Sequence, residues 1–242
     1  MNIYLAEFVG TALLVLFGDG VVANVVLHKS KGQGSGWIVI ATGWGLAVMS
    51  AAYAVGRISG AHLNPAVTIA LAAIGKFDAA KAPGYIAAQI AGAIFGALLV
   101  WLAYLPHWKE TPDAATKLGV FCTAPAIRSP IANLLCEMIG TAALVFGALS
   151  IPSSDNLLSD VGWDRGFGPL LIGLLVFAIG LSLGGPTGYA INPARDFGPR
   201  LAHALLPIAG KGPADWSYAW IPIVGPILGG LVGAFAYHFL YT

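Results

Sequence analysis

Apolar residues dominate six long stretches of the chain, approximately 3–27, 37–55, 83–104, 131–151, 167–183 and 218–240. Each is close to the ~20 mostly apolar residues that a helix needs to cross the hydrocarbon of a bilayer. Polar connections, among them 28–36, 106–129 and 152–166, separate them. Two further apolar stretches, 65–74 and 193–205, are too short to span. Each follows a glycine-rich segment and opens with a proline, preceded by Asn64 or Asn192 at the capping position of a helix. In a chain already made of spans, short helices of this kind read as re-entrant segments. The pattern predicts an all-α membrane protein of six transmembrane helices plus two re-entrant half-helices.

Composition agrees with that reading. Hydrophobic residues make up 57% of the 242 residues and charged residues only 10%, against about 25% in an ordinary globular domain. The 32 glycines suit helices that pack closely in a membrane. A net charge of +1 points to no nucleic-acid partner. Two cysteines, Cys122 and Cys136, are too few for a disulfide framework and lack metal-ligand spacing, so two free thiols are expected. The N-terminus runs straight into an apolar stretch without a basic leader, and no removable signal peptide is expected. At this length a single domain, 1–242, is expected.

The chain also repeats itself. Ala6-Glu7-Phe8-Val9-Gly10-Thr11 answers Cys136-Glu137-Met138-Ile139-Gly140-Thr141, and Ser59-Gly60-Ala61-His62-Leu63-Asn64-Pro65-Ala66 answers Thr187-Gly188-Tyr189-Ala190-Ile191-Asn192-Pro193-Ala194. A third pair sets Tyr85, Gly92 and Gly96 against Tyr218, Gly225 and Gly229. The halves, approximately 1–105 and 130–242, each hold three spans and one re-entrant segment. Three is odd, so the second half enters from the opposite face. Such inverted repeats place a functional site near the midplane, at their interface.

Irregular backbone at membrane depth is tolerated where it lines a water-filled cavity. Two half-helices entering from opposite faces would bring Asn64 and Asn192 together, each capping its own helix while offering amide N–H donors to a central constriction. Each helix N-terminus adds partial positive charge, which disfavours cations and accepts a neutral hydroxyl or water. The carbonyls of Gly60, Ala61 and His62, and of Gly188, Tyr189 and Ala190, would form a ladder of acceptors. One Asn-Pro-Ala is an ordinary helix start; two in matching places of a repeat argue against coincidence.

These motifs carry a resemblance. The whole chain resembles the aquaporin superfamily and, within it, the bacterial glycerol facilitators (aquaglyceroporins). The most specific stretch runs Gly188-Tyr189-Ala190-Ile191-Asn192-Pro193-Ala194-Arg195-Asp196-Phe197-Gly198-Pro199-Arg200. The acid at 196, the base at 200 and Pro222-Ile223 are similar to glycerol-conducting members. The resemblance implies a selectivity filter of Trp44, Gly180, Tyr189 and Arg195. Water-selective relatives generally place histidine where Gly180 stands, and glycine is expected to leave room for a carbon chain. Glycerol facilitators commonly carry phenylalanine where Tyr189 stands. What is implied is a passive channel for glycerol and other small neutral solutes (water, dihydroxyacetone, urea, hydrogen peroxide, protonated lactic acid) that excludes ions and protons. A homotetramer in a bacterial cytoplasmic membrane with both termini cytoplasmic is implied as well. The positive-inside rule gives no orientation here.

Other polar residues in the apolar stretches admit two readings each. Glu7 and Glu137 occupy equivalent places, either bracing the re-entrant loops or forming a proton relay; the resemblance favours bracing. Asp196 and Arg200 are expected to form a buried i, i+4 clamp on the second half-helix. Asp19 either lines an outer vestibule or caps a kink between Gly18 and Gly20. His62 is expected to pack the first loop, and His28, His107, His203 and His238 to lie in loops or at interfaces. Trp37, Trp108 and Trp220 are expected as interfacial anchors. No metal, cofactor or enzymatic activity is expected. A gradient-coupled transporter, a membrane enzyme and a junction protein remain as rival classes.

Overall fold

The computed structural model describes residues 1–152, 156 and 163–241, and among these every regular element is helical. In chain order they are α1 (Ile3–Val26), α2 (Trp37–Ser59), α3 (Pro65–Ala73), a short 3-10 turn (Ala79–Lys81), α4 (Ala82–Ala103), α5 (Leu105–Glu110), α6 (Ala114–Phe121), α7 (Pro130–Ser150), α8 (Trp163–Leu183), α9 (Pro193–Leu205) and α10 (Ile221–Tyr241). Six of them, α1, α2, α4, α7, α8 and α10, are long and apolar enough to cross a membrane, and the chain is a multi-pass membrane protein. The helices start and stop for local reasons. The Asn2 side chain accepts from Leu5 N at 2.8 Å to open α1, and Gly60 closes α2 with a left-handed φ of 82°. Most of the 152–166 connection lies outside the described residues.

The distribution of polarity is the reverse of a water-soluble protein's. Ile131, Ile139, Leu174, Val232 and Phe239 face outward, while Glu7, Gln89, Glu137, Asp196 and Arg200 are buried. Hydrocarbon outside explains both: it solvates the aliphatic faces, and it favours burying polar groups where partners within the protein can meet them.

The two halves pack alike. Helix α1 runs along α4 and α2, and α7 runs along α10 and α8, while α2 against α8 joins the halves. The half-helices cross over: α9 of the second half packs on α4, and α3 of the first on α10. Close approach is made by glycine. A Cβ at Gly92 would collide with the Phe8 carbonyl, and one at Gly96 would stand 2.6 Å from the Ala12 carbonyl. On the other side Gly229 meets the Met138 carbonyl and Gly233 the Ala142 carbonyl. Since Phe8 answers Met138 in the repeat, Gly92 and Gly96 correspond to Gly229 and Gly233, not to Gly225 and Gly229 as the sequence match suggests. The correction is one helical turn. A ladder of glycines every four residues looks the same after such a slip, and the partner helix alone fixes its register.

The 106–129 connection is also more structured than its polarity implies. It folds into α5 and α6, the latter capped by Asp113, whose carboxyl the Thr116 hydroxyl and amide hold below the usual range. Trp108 is not an interfacial anchor: it is buried, donates to the Trp101 carbonyl at 3.0 Å and stacks on Phe121. His203, expected near the surface, is fully buried with its ring edge-on to the same Phe121. An aromatic residue's sequence neighbours do not reveal which later helix will cover it.

Candidate functional site

The two loops that precede the half-helices have the same unusual backbone. Gly60, Ala61 and Leu63 have φ of 82°, 49° and 52°; Gly188, Tyr189 and Ile191 have 81°, 40° and 44°. Positive φ at a non-glycine residue costs on the order of 1–3 kcal/mol and persists where surroundings over-determine it. Two buried carboxylates do so. Glu7 Oε1 accepts from His62 N at 3.1 Å and from the Ser59 hydroxyl at 2.6 Å, and its Oε2 from Leu63 N at 2.7 Å and Gln89 Nε2 at 2.8 Å. Glu137 accepts from Ala190 N at 3.0 Å and from Ile191 N at 2.8 Å. In a planar trans peptide the N–H and C=O point opposite ways. Drawing these amides back to the carboxylates therefore turns the carbonyls of Ala61, His62, Tyr189 and Ala190 away from them. All four residues line one cavity of about 340 Å³ that runs between the halves.

Asn64 and Asn192 meet at its middle. The Asn64 side-chain oxygen accepts from Ala66 N at 2.9 Å, and that of Asn192 from Ala194 N at 3.0 Å, so each caps its own half-helix. Each amide nitrogen then reaches across: Asn64 Nδ2 donates to the Ile191 carbonyl and Asn192 Nδ2 to the Leu63 carbonyl, both at 2.8 Å. One N–H of each amide locks the two loops together, and the second is left for whatever occupies the cavity. Facing the loops is an aliphatic wall that includes Leu14, Val48, Leu144, Val145, Ile172 and Val176.

At one end stand three of the four residues named for the filter. Trp44, Tyr189 and Arg195 line the cavity, with the guanidinium carbon of Arg195 4.0 Å from the Trp44 ring centre. Gly180 is not on the cavity wall, and the space its missing side chain leaves is not open to a solute. A Cβ there would lie 2.8 Å from Tyr189 Cζ and 2.9 Å from its hydroxyl. Glycine at 180 seats the Tyr189 ring. Trp37 holds the other side, donating its indole N–H to the Gly180 carbonyl at 2.8 Å and packing edge-on to Tyr189. Trp37 stands at the first position of α2 and is 40% exposed, so it buttresses the ring from the end of a span. Gly188 likewise lies off the cavity wall, its N–H bonded to the Gly184 carbonyl at 2.8 Å. Among the described residues the buried Tyr189 hydroxyl has no hydrogen-bond partner. A buried unpaired polar group costs about 1–3 kcal/mol. Tyr189→Phe is therefore expected to raise the thermal midpoint of the detergent-solubilised protein, and a fall would mean that the hydroxyl has a partner.

Further out, Asp196 and Arg200 form the clamp. Arg200 Nη2 lies 2.9 Å from Asp196 Oδ1, and Asp196 Oδ2 accepts from the Thr123 amide at 2.8 Å and hydroxyl at 2.7 Å. Arg200 also donates to the carbonyls of Thr123, Ala214 and Asp215. This fully buried pair ties α9 to the α6–α7 connection and to the α9–α10 connection. His62 packs between Phe77 and Tyr85, with Nδ1 3.1 Å from the Thr68 hydroxyl. Asp19, ambiguous in sequence, caps no kink: α1 passes unbroken through it, and its carboxylate is fully buried 3.6 Å from Arg195 Nη1. Its one sequence signal was an acid set among aliphatic residues late in a span.

The family model described as Major intrinsic protein matches residues 1–237. The chain is 66% identical to the probable glycerol uptake facilitator protein of Thermotoga maritima, covering 100% of both chains. It is 57% identical to the glycerol uptake facilitator protein of Bacillus subtilis, over 98% of this chain and 84% of that one. Among solved structures it is similar to the aquaglyceroporin from Plasmodium falciparum, with a TM-score of 0.86 and 31% identity, over 98% of this chain and 95% of the other. Matched by one family model along nearly its whole length, and by relatives more than half identical to it, the chain belongs to the major intrinsic protein family, whose aquaglyceroporins are channels and not enzymes.

Proposed function

We propose that the chain is a passive channel for glycerol and other small neutral solutes, among them water, dihydroxyacetone, urea, hydrogen peroxide and protonated lactic acid, and that it excludes ions and protons. The observation that carries this reading is the two-sided wall of the cavity. One side is loop backbone with the Asn64 and Asn192 amides; the other is aliphatic. A polyol has the matching shape, with hydroxyls along one edge and C–H along the other. At the filter, Trp44 and the Tyr189 ring give the carbon chain an apolar corner, and Arg195 donates hydrogen bonds to the hydroxyls. Gly180 acts by seating Tyr189. At the centre, the amides of Asn64 and Asn192 receive a hydroxyl oxygen while two helix N-termini repel cations. The acceptor ladder consists of the Gly60, Ala61 and His62 carbonyls, and of Tyr189 and Ala190 with Gly188 behind them. Glu7, Glu137, Asp196 and Arg200 hold this frame. The names of the relatives, glycerol uptake facilitators and an aquaglyceroporin, support the same substrate class.

In this reading residues 1–242 are one channel domain built of repeats over approximately 1–105 and 130–242. It lies in a bacterial cytoplasmic membrane as a homotetramer, with both termini in the cytoplasm. Stopped-flow light scattering on proteoliposomes tests the function. Glycerol permeability is expected well above that of protein-free vesicles, linear in glycerol concentration and indifferent to proton and sodium gradients. Saturable, gradient-driven uptake would point instead to a coupled transporter, and water flux without glycerol flux would mean that Tyr189 closes the sieve.

A further inference from the structure

The carboxylate of Asp19 is fully enclosed, and neither oxygen accepts a hydrogen bond from any described residue. An acid at membrane depth without donors is costly, and such groups are found beside a partner charge. The partner is Arg195, with Nη1 3.6 Å from Oδ1. Little else fixes that guanidinium: it lies over the Trp44 ring and makes one long contact, 3.5 Å, with the Phe121 carbonyl. The preceding residue completes the arrangement. A Cβ at Gly18 would collide with three ring carbons of Trp44, so glycine lets that ring lie flat against α1. Consecutive residues of α1 therefore seat Trp44 and face Arg195. Helix α1 is also the most enclosed of the six spans, with 56% of its most apolar window buried.

We propose that Asp19 is a specificity-determining residue of the constriction. It acts as the fixed counter-charge of Arg195, holding the guanidinium over Trp44 on the α1 side and leaving the passage electrically balanced, so that it rejects small anions as well as cations. The proposal rests on reading the cavity as a solute channel. A lone guanidinium in a narrow, water-poor passage is an anion site, because low-dielectric walls focus its field and charged rings of this sign select anions. A carboxylate 3.6 Å away converts that single charge into a short dipole, whose attraction for an ion falls off much faster. Hydrogen bonding to neutral hydroxyls survives, since a guanidinium carries five N–H donors and the carboxylate engages one side of it. The passage thus keeps its donors and loses its net charge.

The test uses the full chain in proteoliposomes with three readouts. These are glycerol flux by light scattering, iodide entry by quenching of an entrapped halide-sensitive dye, and thallium entry by an entrapped thallium-sensitive dye. Valinomycin and potassium balance charge in the iodide assay. Wild type is expected to hold iodide and thallium at the protein-free level. Asp19→Asn, which keeps the shape and removes the charge, is expected to raise iodide entry at least about tenfold without raising thallium entry. Persisting glycerol flux shows that the variant is inserted and open. Arg195→Gln leaves the carboxylate alone and is expected to do the reverse, admitting thallium but not iodide. Asp19→Asn that excludes iodide as wild type does overturns the proposal. So does a variant leaking iodide and thallium alike, since that is loosened packing. Should Asp19→Asn fail to assemble, thallium exclusion by Arg195→Gln overturns it equally. A wild type without glycerol flux would end the polyol reading, while the iodide contrast would still decide the role of Asp19.

Discussion

Gly180→His is expected to lose glycerol and water permeability together, each at least about tenfold below wild type. The family pattern alone predicts a different result, a narrowed opening that keeps water. The difference comes from Tyr189. A Cβ at position 180 would stand 2.8 Å from Tyr189 Cζ, closer than real side chains approach, and Trp37 blocks retreat on the other face. The phenol ring must then swing toward the cavity. A ring displaced into the passage raises the barrier that every solute must cross, and about 1.4 kcal/mol of barrier is a tenfold loss of flux. The double variant Gly180→His/Tyr189→Ala removes the obstructing ring. It is expected to recover water and glycerol alike, because the smaller imidazole then occupies the space that the phenol fills in wild type. Stopped-flow measurements on both variants decide it. Water flux retained in the single variant would show that Tyr189 is not wedged between Gly180 and Trp37.

The second large effect is on assembly. Glu137→Leu is expected to destabilise the folded channel by about 2–6 kcal/mol, since it strands the Ala190 and Ile191 amides at membrane depth and each buried unpaired donor costs about 1–3 kcal/mol. For a chain of this size that corresponds to a fall of about 4–24 °C in the thermal midpoint. Glu137→Gln keeps one acceptor oxygen and is expected to lose about half as much. Glu7→Leu is expected to cost more, because Glu7 also accepts from the Ser59 hydroxyl and the Gln89 amide. Melting in detergent, followed by fluorescence, gives the comparison. If Glu137→Leu melts with wild type, the loop amides have found other acceptors, and the carboxylate does not maintain the positive φ of Tyr189 and Ile191.

Where sequence reasoning succeeded, it relied on constraints that act locally or through a fixed external length. The thickness of the bilayer made the six spans legible, and the observed helices differ from the apolar stretches mainly at their ends. The two largest extensions, of four residues each, carry α2 from 55 to Ser59, where Gly60 provides the left-handed cap, and α8 from 167 back to Trp163. Asn64 and Asn192 were legible because an asparagine followed by proline favours a helix start, and two copies stand in matching places of the repeat. The repeat marked Glu7 and Glu137 as equivalent, but the residues alone left bracing and a proton relay both open, and only the family resemblance favoured bracing.

What escaped the sequence depends on contacts between distant residues. Trp37 reaches the carbonyl of Gly180, Arg195 reaches Asp19, and Phe121 gathers Trp108 and His203 from either side of the chain. No periodicity encodes which face of one helix meets which face of another. Glycine shows this most clearly. At 92 and 96 it permits helix contact, at 18 it admits a tryptophan, and at 180 it seats a tyrosine, all with the same letter in the sequence. The bilayer and the backbone's own hydrogen-bonding demand dictated the spans, the half-helices and the asparagine pair. The shape and charge of the constriction came from packing, because a side chain's surroundings are set by whichever distant segment fills the space beside it.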